Sequence, residues 1–468
     1  MKKGNRKTQK KRIRAQNDNQ DKKIDQEIGR INITSLGISH IIIYNPILKA
    51  TRDTRLEYIK YLEKYLRIAG WDRRKFVQAE MAAYKKIILN DVERGEESHE
   101  LSYYQYYILF DFMHVLTYNF KKENGDKLEK VKNEFVKDFR DSIDESIVNK
   151  ILKMTMQPMR TIKRLLKDPS LEKEKEYISH IYDNLEFIQK PPANVMVTAT
   201  MSAGKSTFIN ALTGKYVCLS QNMACTSKIH YIVNKAFEDG FSAEYDHDLV
   251  LTAGKEELLN DNDLNKSNKI AVGTKFVGGM ANRRIMLTDS PGVNYSGDKT
   301  HKQITDKMIK EGDYNLLIYI MNATQLSTND ESEHMEYVKQ TMGTPPILFV
   351  INKVDTFNVE EENIFTTIQR QIDILKEKGF KKPIICPVSS RAAYLAKQFQ
   401  TNDLTRSEKR ELYNYIDKFE QMGLPDYYEK TFKNMKVVDK ETEEMQLLKT
   451  SGLAYIEKII LSLCKRRK

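Results

Sequence analysis

The run VMVTATMSAGKSTFINALTGK, from Val195 to Lys215, constrains this chain more than any other stretch. An apolar segment of strand length ends at Ala199, a short loop follows, and a helix-patterned segment begins at Lys205. Strand, tight loop and helix in that order aim consecutive backbone N–H groups, and the positive end of the helix, at one point. That arrangement suits a multiply charged anion. The spacing is that of the phosphate loop G-x-x-x-x-G-K-[ST], with Ala199 in the first position in place of glycine. If that position requires a positive φ, alanine there costs about 1 kcal/mol. Gly204 lets the backbone approach phosphate closely. Lys205 is placed to bridge β- and γ-phosphates, and the Ser206 hydroxyl to ligate Mg²⁺. Ala203 and Thr207 complete the loop and the helix start.

Three further segments supply what a nucleoside triphosphate needs. Asp289-Ser-Pro-Gly292 closes the apolar run RRIMLTD, so Asp289 can hold Mg²⁺ through water and the Gly292 amide can sense a γ-phosphate. Asn352-Lys353-Val-Asp355 follows ILFVI. The Asp355 carboxylate can accept from both N1–H and the exocyclic amino group of guanine, a donor pair that adenine does not present. Asn352 can brace the loop and contact the base, while Lys353 lies along the ring. Ser389 and Ser390, after PIICPV, complete a base pocket with a backbone amide for the guanine oxygen. The expected ligand is therefore GTP with Mg²⁺. A hydroxyl must also bind the metal and orient the attacking water; Thr226 is the candidate, with Ser227 second.

Outside these motifs the chain of 468 residues falls into three zones. Residues 1–23 hold ten Lys/Arg against Asp18 and Asp21, so most of the net charge of +11 sits in a tail, to about residue 25, too polar to fold alone. From 26 to 190 the pattern is all-helical. Tyr58, Ile59, Tyr61, Leu62, Tyr65 and Leu66 fall on one helix face, and a second helix is expected around 74–91. Leu101–Phe120 is aromatic-rich and interrupted by Gln105, Asp111 and His114; a buried central helix is the more economical reading, and a lipid- or partner-facing surface is the alternative. Pro191-Pro192 stops the last helix. Beyond it, apolar runs at Val195–Thr198, Lys228–Val233, Ile285–Thr288, Leu316–Met321, Ile347–Ile351 and Ile384–Val388 alternate with helical stretches. They predict a mostly parallel sheet with helices on both faces. The expected fold is an α/β P-loop GTPase domain over 191–468, with a helical insertion at about 400–450, preceded by an all-α domain. Four scattered cysteines exclude a disulfide scaffold and a cluster of zinc thiolates, and fit a cytoplasmic setting. No apolar run reaches about 18 residues, and no signal peptide pattern opens the chain.

Taken together, TATMSAGKSTFINALTGK, DSPGVN, INKVD and PVSSRAAYLAK resemble the dynamin superfamily, in particular its bacterial dynamin-like branch. The separation of 84 positions from Lys205 to Asp289, His301, the stretch NATQLSTNDESE and the terminal SGLAYIEKIILSLC fit the same resemblance. The resemblance implies GTP hydrolysis that quickens when two G domains dimerise across the nucleotide. It gives Ser202 the part of a loop serine that binds a monovalent cation, K⁺ or Na⁺, and Thr226 the part of the switch threonine. Met201 stands where eukaryotic members carry a catalytic glutamine. With Lys205, Ser202 and Thr226 form the catalytic set that the resemblance implies. Residues 171–188 and 451–466 are expected to pair as a shortened neck, so that the nucleotide state moves the helical domain. The expected setting is cytoplasmic or peripheral to a membrane, with self-association and an anionic membrane or partner subunit. The alternative is a regulatory or assembly GTPase that binds RNA or the ribosome through its basic tail.

Overall fold

The computed structural model describes residues 33–90, 99–117, 125–200, 202–218, 229–246, 248–254, 269–290, 305–310, 314–326, 328–342, 345–357, 363–401, 404–433 and 435–464. The basic tail, Met201, Thr226, Ser227, Gly292 and His301 lie outside them. The chain divides into two compact units. One is built from residues up to Lys190 together with Lys235–Ala253, the other from Pro191–Asn234 and Gly254 onward.

The first unit is a helical bundle. Its helices span Arg52–Ile68, Lys75–Ile88, Gln105–Thr117, Gly125–Asp138, Glu145–Leu152, Pro158–Leu165 and Lys175–Gln189. Thr51 caps the first, and Tyr58, Ile59, Leu62, Tyr65 and Leu66 form its buried stripe. Gln105–Thr117 is the central helix, with Ile108, Leu109, Phe110, Phe112 and Met113 fully buried. The three polar residues on that helix are buried too. Gln105 is bonded to Ser142 through both its amide ends. Asp111 accepts from Tyr58, Tyr177, Tyr84 at 3.0 Å and Asn45 at 3.1 Å. A carboxylate with four donors meets the requirement that a buried polar group be bonded.

The first unit also holds strands that the residue pattern did not reveal. With strands numbered along the chain, β1 is Ala193–Ala199 and β2 Ile229–Asn234, both in the second unit, while β3 (Ser242–Tyr245) and β4 (Leu249–Ala253) form an antiparallel hairpin in the first. Lys86 Nζ donates to Thr252 O at 2.9 Å, and the buried Lys235–Asp239 pair closes at 2.6 Å.

In the second unit the remaining strands are β5 (Lys269–Thr274), β6 (Ile285–Asp289), β7 (Leu316–Asn322), β8 (Ile347–Asn352) and β9 (Ile384–Val388). They lie in the order β5-β2-β6-β1-β7-β8-β9. All described pairings are parallel except β2 with β6. The central strands β1, β7 and β8 are buried almost throughout, which is why their sequences are unbroken apolar runs. Helices Arg406–Met422, Leu424–Thr431 and Glu443–Thr450 follow β9, the first opened by a Thr405–Glu408 capping box. Leu453–Cys464 ends the described chain, and its Glu457 forms a buried ion pair with Lys397 at 2.7 Å.

Candidate functional site

Parallel strands collect functional groups at their carboxyl ends, and this sheet does so at five of them. After β1 the chain makes a short loop into the helix Lys205–Thr213, with Gly204 at its N-cap. Ala199 completes β1 in register with Ile320, so the substitution for glycine is accommodated in extended backbone. The positive φ falls instead on Ser202, at 60°, and on Gly204, at 82°. A serine held there costs about 1 kcal/mol. Gly204 is required for a second reason: a Cβ on it would collide with Asn352 Nδ2.

Asn352, at the end of β8, is the brace of the site. Its Nδ2 donates to Ala203 O at 2.9 Å, and its Oδ1 accepts from Ser390 N at 3.1 Å and Ser390 Oγ at 2.6 Å. The phosphate loop and the segment after β9 are thus tied to one buried amide, whose bonding capacity is spent on the protein. Lys353 carries a φ of 65°, and its Cε lies 3.7 Å from the position a Gly204 Cβ would take. Ser389 caps the helix Ser390–Gln400, accepting from Ala392 N at 3.2 Å, and donates to Asp355 Oδ1 at 2.5 Å.

Lys205, only 8% exposed, pairs with Oδ1 of the fully buried Asp289, at the end of β6. Asp289 Oδ2 is also buried, yet no described residue donates to it. A buried carboxylate oxygen left in that state calls for a ligand. With the Ser206 hydroxyl in the first turn of the helix, the donor set is hard oxygen, which fits Mg²⁺. Ala203, Gly204, Lys205, Ser206, Thr207, Asp289, Asn352, Lys353, Asp355, Ser389 and Ser390 therefore all stand on elements that end at this side of the sheet. Thr226 and Gly292 lie outside the described residues.

Several residues at the site escaped the sequence reading. Asn322, at the end of β7, donates to Ser202 O at 3.4 Å. Lys418 reaches from helix Arg406–Met422 to Asp355 O at 2.6 Å. Asn210 pins the backbone that leaves the helix: its Oδ1 accepts from Val217 N at 3.0 Å and Cys218 N at 2.9 Å, and its Nδ2 donates to Cys218 O at 2.8 Å. A polar residue within the apolar run FINAL was the available signal for Asn210.

Residues 195–354 match the family described as the Dynamin family. The chain is 22% identical over 301 residues to Dynamin-like protein 1 of Campylobacter jejuni, a match covering 54% of this chain and 40% of that protein. It thus spans less than half the length of that curated relative. Among solved structures, an oligomerised bacterial dynamin pair is similar at 15% identity and a TM-score of 0.35, over 82% of this chain and 62% of the other. Era of Aquifex aeolicus, bound to GDP·AlF4⁻, is similar at 17% identity and a TM-score of 0.27, over 43% and 52%. The matched segment runs from β1 to Val354, and so takes in the phosphate loop, Asp289, Asn352 and Lys353.

Proposed function

We propose that this chain binds GTP with Mg²⁺ and hydrolyses it to GDP and phosphate. The observation that carries the reading is the buried Lys205–Asp289 pair, with one carboxylate oxygen that no described residue satisfies, beside a phosphate loop that Asn352 ties to Ser390, next to the Ser389–Asp355 hydrogen bond. Phosphate draws Lys205 away from Asp289, because the β- and γ-oxygens offer the ammonium more negative charge. Ser206 and Asp289 would hold the metal ion, which supplies charge neutralisation on the phosphates. The loop's backbone, fixed by Asn352 and Asn322, holds the phosphates without reorganising, and this is how oriented dipoles favour charge in a transition state. Ser389 aims the Asp355 carboxylate toward the base, and Lys418 steadies the same loop.

The finer assignments belong to the same reading. Thr226 takes the metal and water-orienting role, the Gly292 amide senses the γ-phosphate, and Ser202 helps hold a monovalent cation, K⁺ or Na⁺, when two G domains dimerise. The nucleotide state moves the helical unit, with an anionic membrane or a partner subunit as the object of the work. Among the described residues no helix is long and apolar enough to cross a membrane.

Asp355→Asn tests base selection. It exchanges an acceptor for a donor, so GTP affinity should fall at least tenfold while xanthosine triphosphate, with a carbonyl at C2, gains. Unchanged preference for GTP in this variant would exclude Asp355 from the base pocket. For hydrolysis, turnover per molecule should rise with protein concentration, and a flat dependence would count against dimerisation.

A further inference from the structure

We propose that the α/β unit holds a second kind of cation site, for a thiophilic divalent ion of the zinc class, built from Cys218, His230 and Asp289. One ligand atom from each of the three lies within 4.8 Å of the other two, and all three residues are buried. Four-coordinate zinc with bonds of about 2.0–2.3 Å sets its ligands about 3.3–3.8 Å apart, so the trio needs side-chain adjustment of about 1 Å, not backbone movement.

The backbone is already fixed at each corner. Cys218 is held by three hydrogen bonds to Asn210, at 3.0 Å or less, through its own N–H and carbonyl and the N–H of Val217. His230 and Asp289 face each other across the antiparallel β2–β6 pair. Preorganised ligands on secondary structure are what a metal site requires. Scattered cysteines exclude a cluster of thiolates but not a mixed site with one sulfur, one imidazole and one carboxylate. Nothing in the phosphate chemistry uses a thiol or an imidazole at this place. Magnesium selects oxygen and leaves such a set aside, whereas zinc and cobalt take it.

Burial holds the Cys218 thiol well above its ordinary range, with the Asp289 charge adding to the effect, so the sulfur carries its proton when no ion is present. Binding forms an Sγ–metal bond, breaks the S–H bond and releases one proton to solvent, so affinity falls as pH falls. The ion also takes Asp289, the carboxylate that pairs with Lys205. If the GTP reading holds, a zinc-class ion therefore competes with the Mg²⁺–nucleotide complex. That consequence rests on the proposed function, whereas the binding itself does not.

The test titrates the full chain with Co²⁺ alone, without nucleotide. One equivalent should give a thiolate-to-cobalt band in the near ultraviolet and the visible bands of a four-coordinate ion, and Zn²⁺ should displace it. Cys218→Ser should abolish the near-ultraviolet band, and His230→Ala should weaken binding at least tenfold. A variant with Cys225, Cys386 and Cys464 all changed to serine should keep both band and stoichiometry. No band in the wild-type chain, a band unchanged by Cys218→Ser, or a band lost in the triple variant would overturn the site. In a second arm, Zn²⁺ should inhibit GTP turnover in the wild-type chain at least tenfold more than in Cys218→Ser. Equal inhibition would overturn the shared use of Asp289 and leave the GTP reading standing.

Discussion

The two units bury charge in opposite ways. In the helical unit Asp111 has four donors around its two oxygens, three of them tyrosine hydroxyls from different helices. In the α/β unit Asp289 has Lys205 on one oxygen and no described donor on the other. A second buried pair in the same unit, Lys397–Glu457, is fully used: Lys397 also donates to Leu212 O at 2.8 Å, and Glu457 also accepts from Gly279 N at 2.9 Å. Saturated networks hold the fold, and an unsaturated one marks where a ligand completes the bonding. Glu80 in the helical unit also has a buried oxygen without a hydrogen bond, with His40 Nδ1 3.9 Å away, but burial raises its pKa to about 8, so the group stays neutral instead of seeking a cation.

The largest effects should come from breaking the pairs on the two sides of this contrast. Removing one member of a buried ion pair leaves an uncompensated charge, so Lys205→Ala should cost about 3–5 kcal/mol of stability without nucleotide. Adding Asp289→Leu should recover most of that stability in denaturant titrations while GTP binding stays lost. If the double variant is as unstable as the single one, the pair serves the fold, and the contrast fails. Asp111→Ala leaves three buried tyrosine hydroxyls and the Asn45 amide short of an acceptor. It should cost about 3 kcal/mol or more in the helical unit's denaturation, with affinity for GTP unchanged.

A smaller effect sharpens the account of Glu80. Its pKa of about 8 and that of Asp111, about 7, both stand above their ordinary values because of burial. The folded unit therefore holds protons that the unfolded chain has lost, and stability falls as pH rises through about 4.5 to 8. His40 works in the other direction: burial lowers it to about 4, so stability also falls as pH drops below its ordinary value of 6.5. Glu80→Gln should flatten the profile between pH 6.5 and 8 by roughly 1 kcal/mol, read as urea midpoints across that range. The smallest effect is at the base loop. Lys418→Ala removes one charge-assisted hydrogen bond to Asp355 O and should weaken GTP and GDP alike by about fivefold, equivalent to about 1 kcal/mol.

What the sequence made legible was local. Strands β1, β2 and β6 to β9 are continuous apolar runs, and the chemistry-bearing residues stand at their ends. Strands β3, β4 and β5 escaped because SAEY, LVLTA and KIAVGT are short and mixed with polar or glycine positions. The grouping of Lys235–Ala253 with the helices depends on contacts such as His40 N to Asp239 Oδ2 at 2.8 Å, 199 residues apart, which no periodicity encodes. The position of Asn352 after an apolar strand marks it as a brace, but its bonds to Ala203 and Ser390 are visible only in three dimensions. The cost expected at Ala199 moved to Ser202, because the chain keeps β1 extended through Ala199 and turns later.

The most direct measurement is calorimetry of the full chain with GTP, and separately ATP, in Mg²⁺. One saturable site for GTP is expected, lost in Lys205→Ala with Asp289→Leu, with at least tenfold weaker binding of ATP. Absence of heat with GTP on folded protein, or equal binding of the two nucleotides, would contradict it.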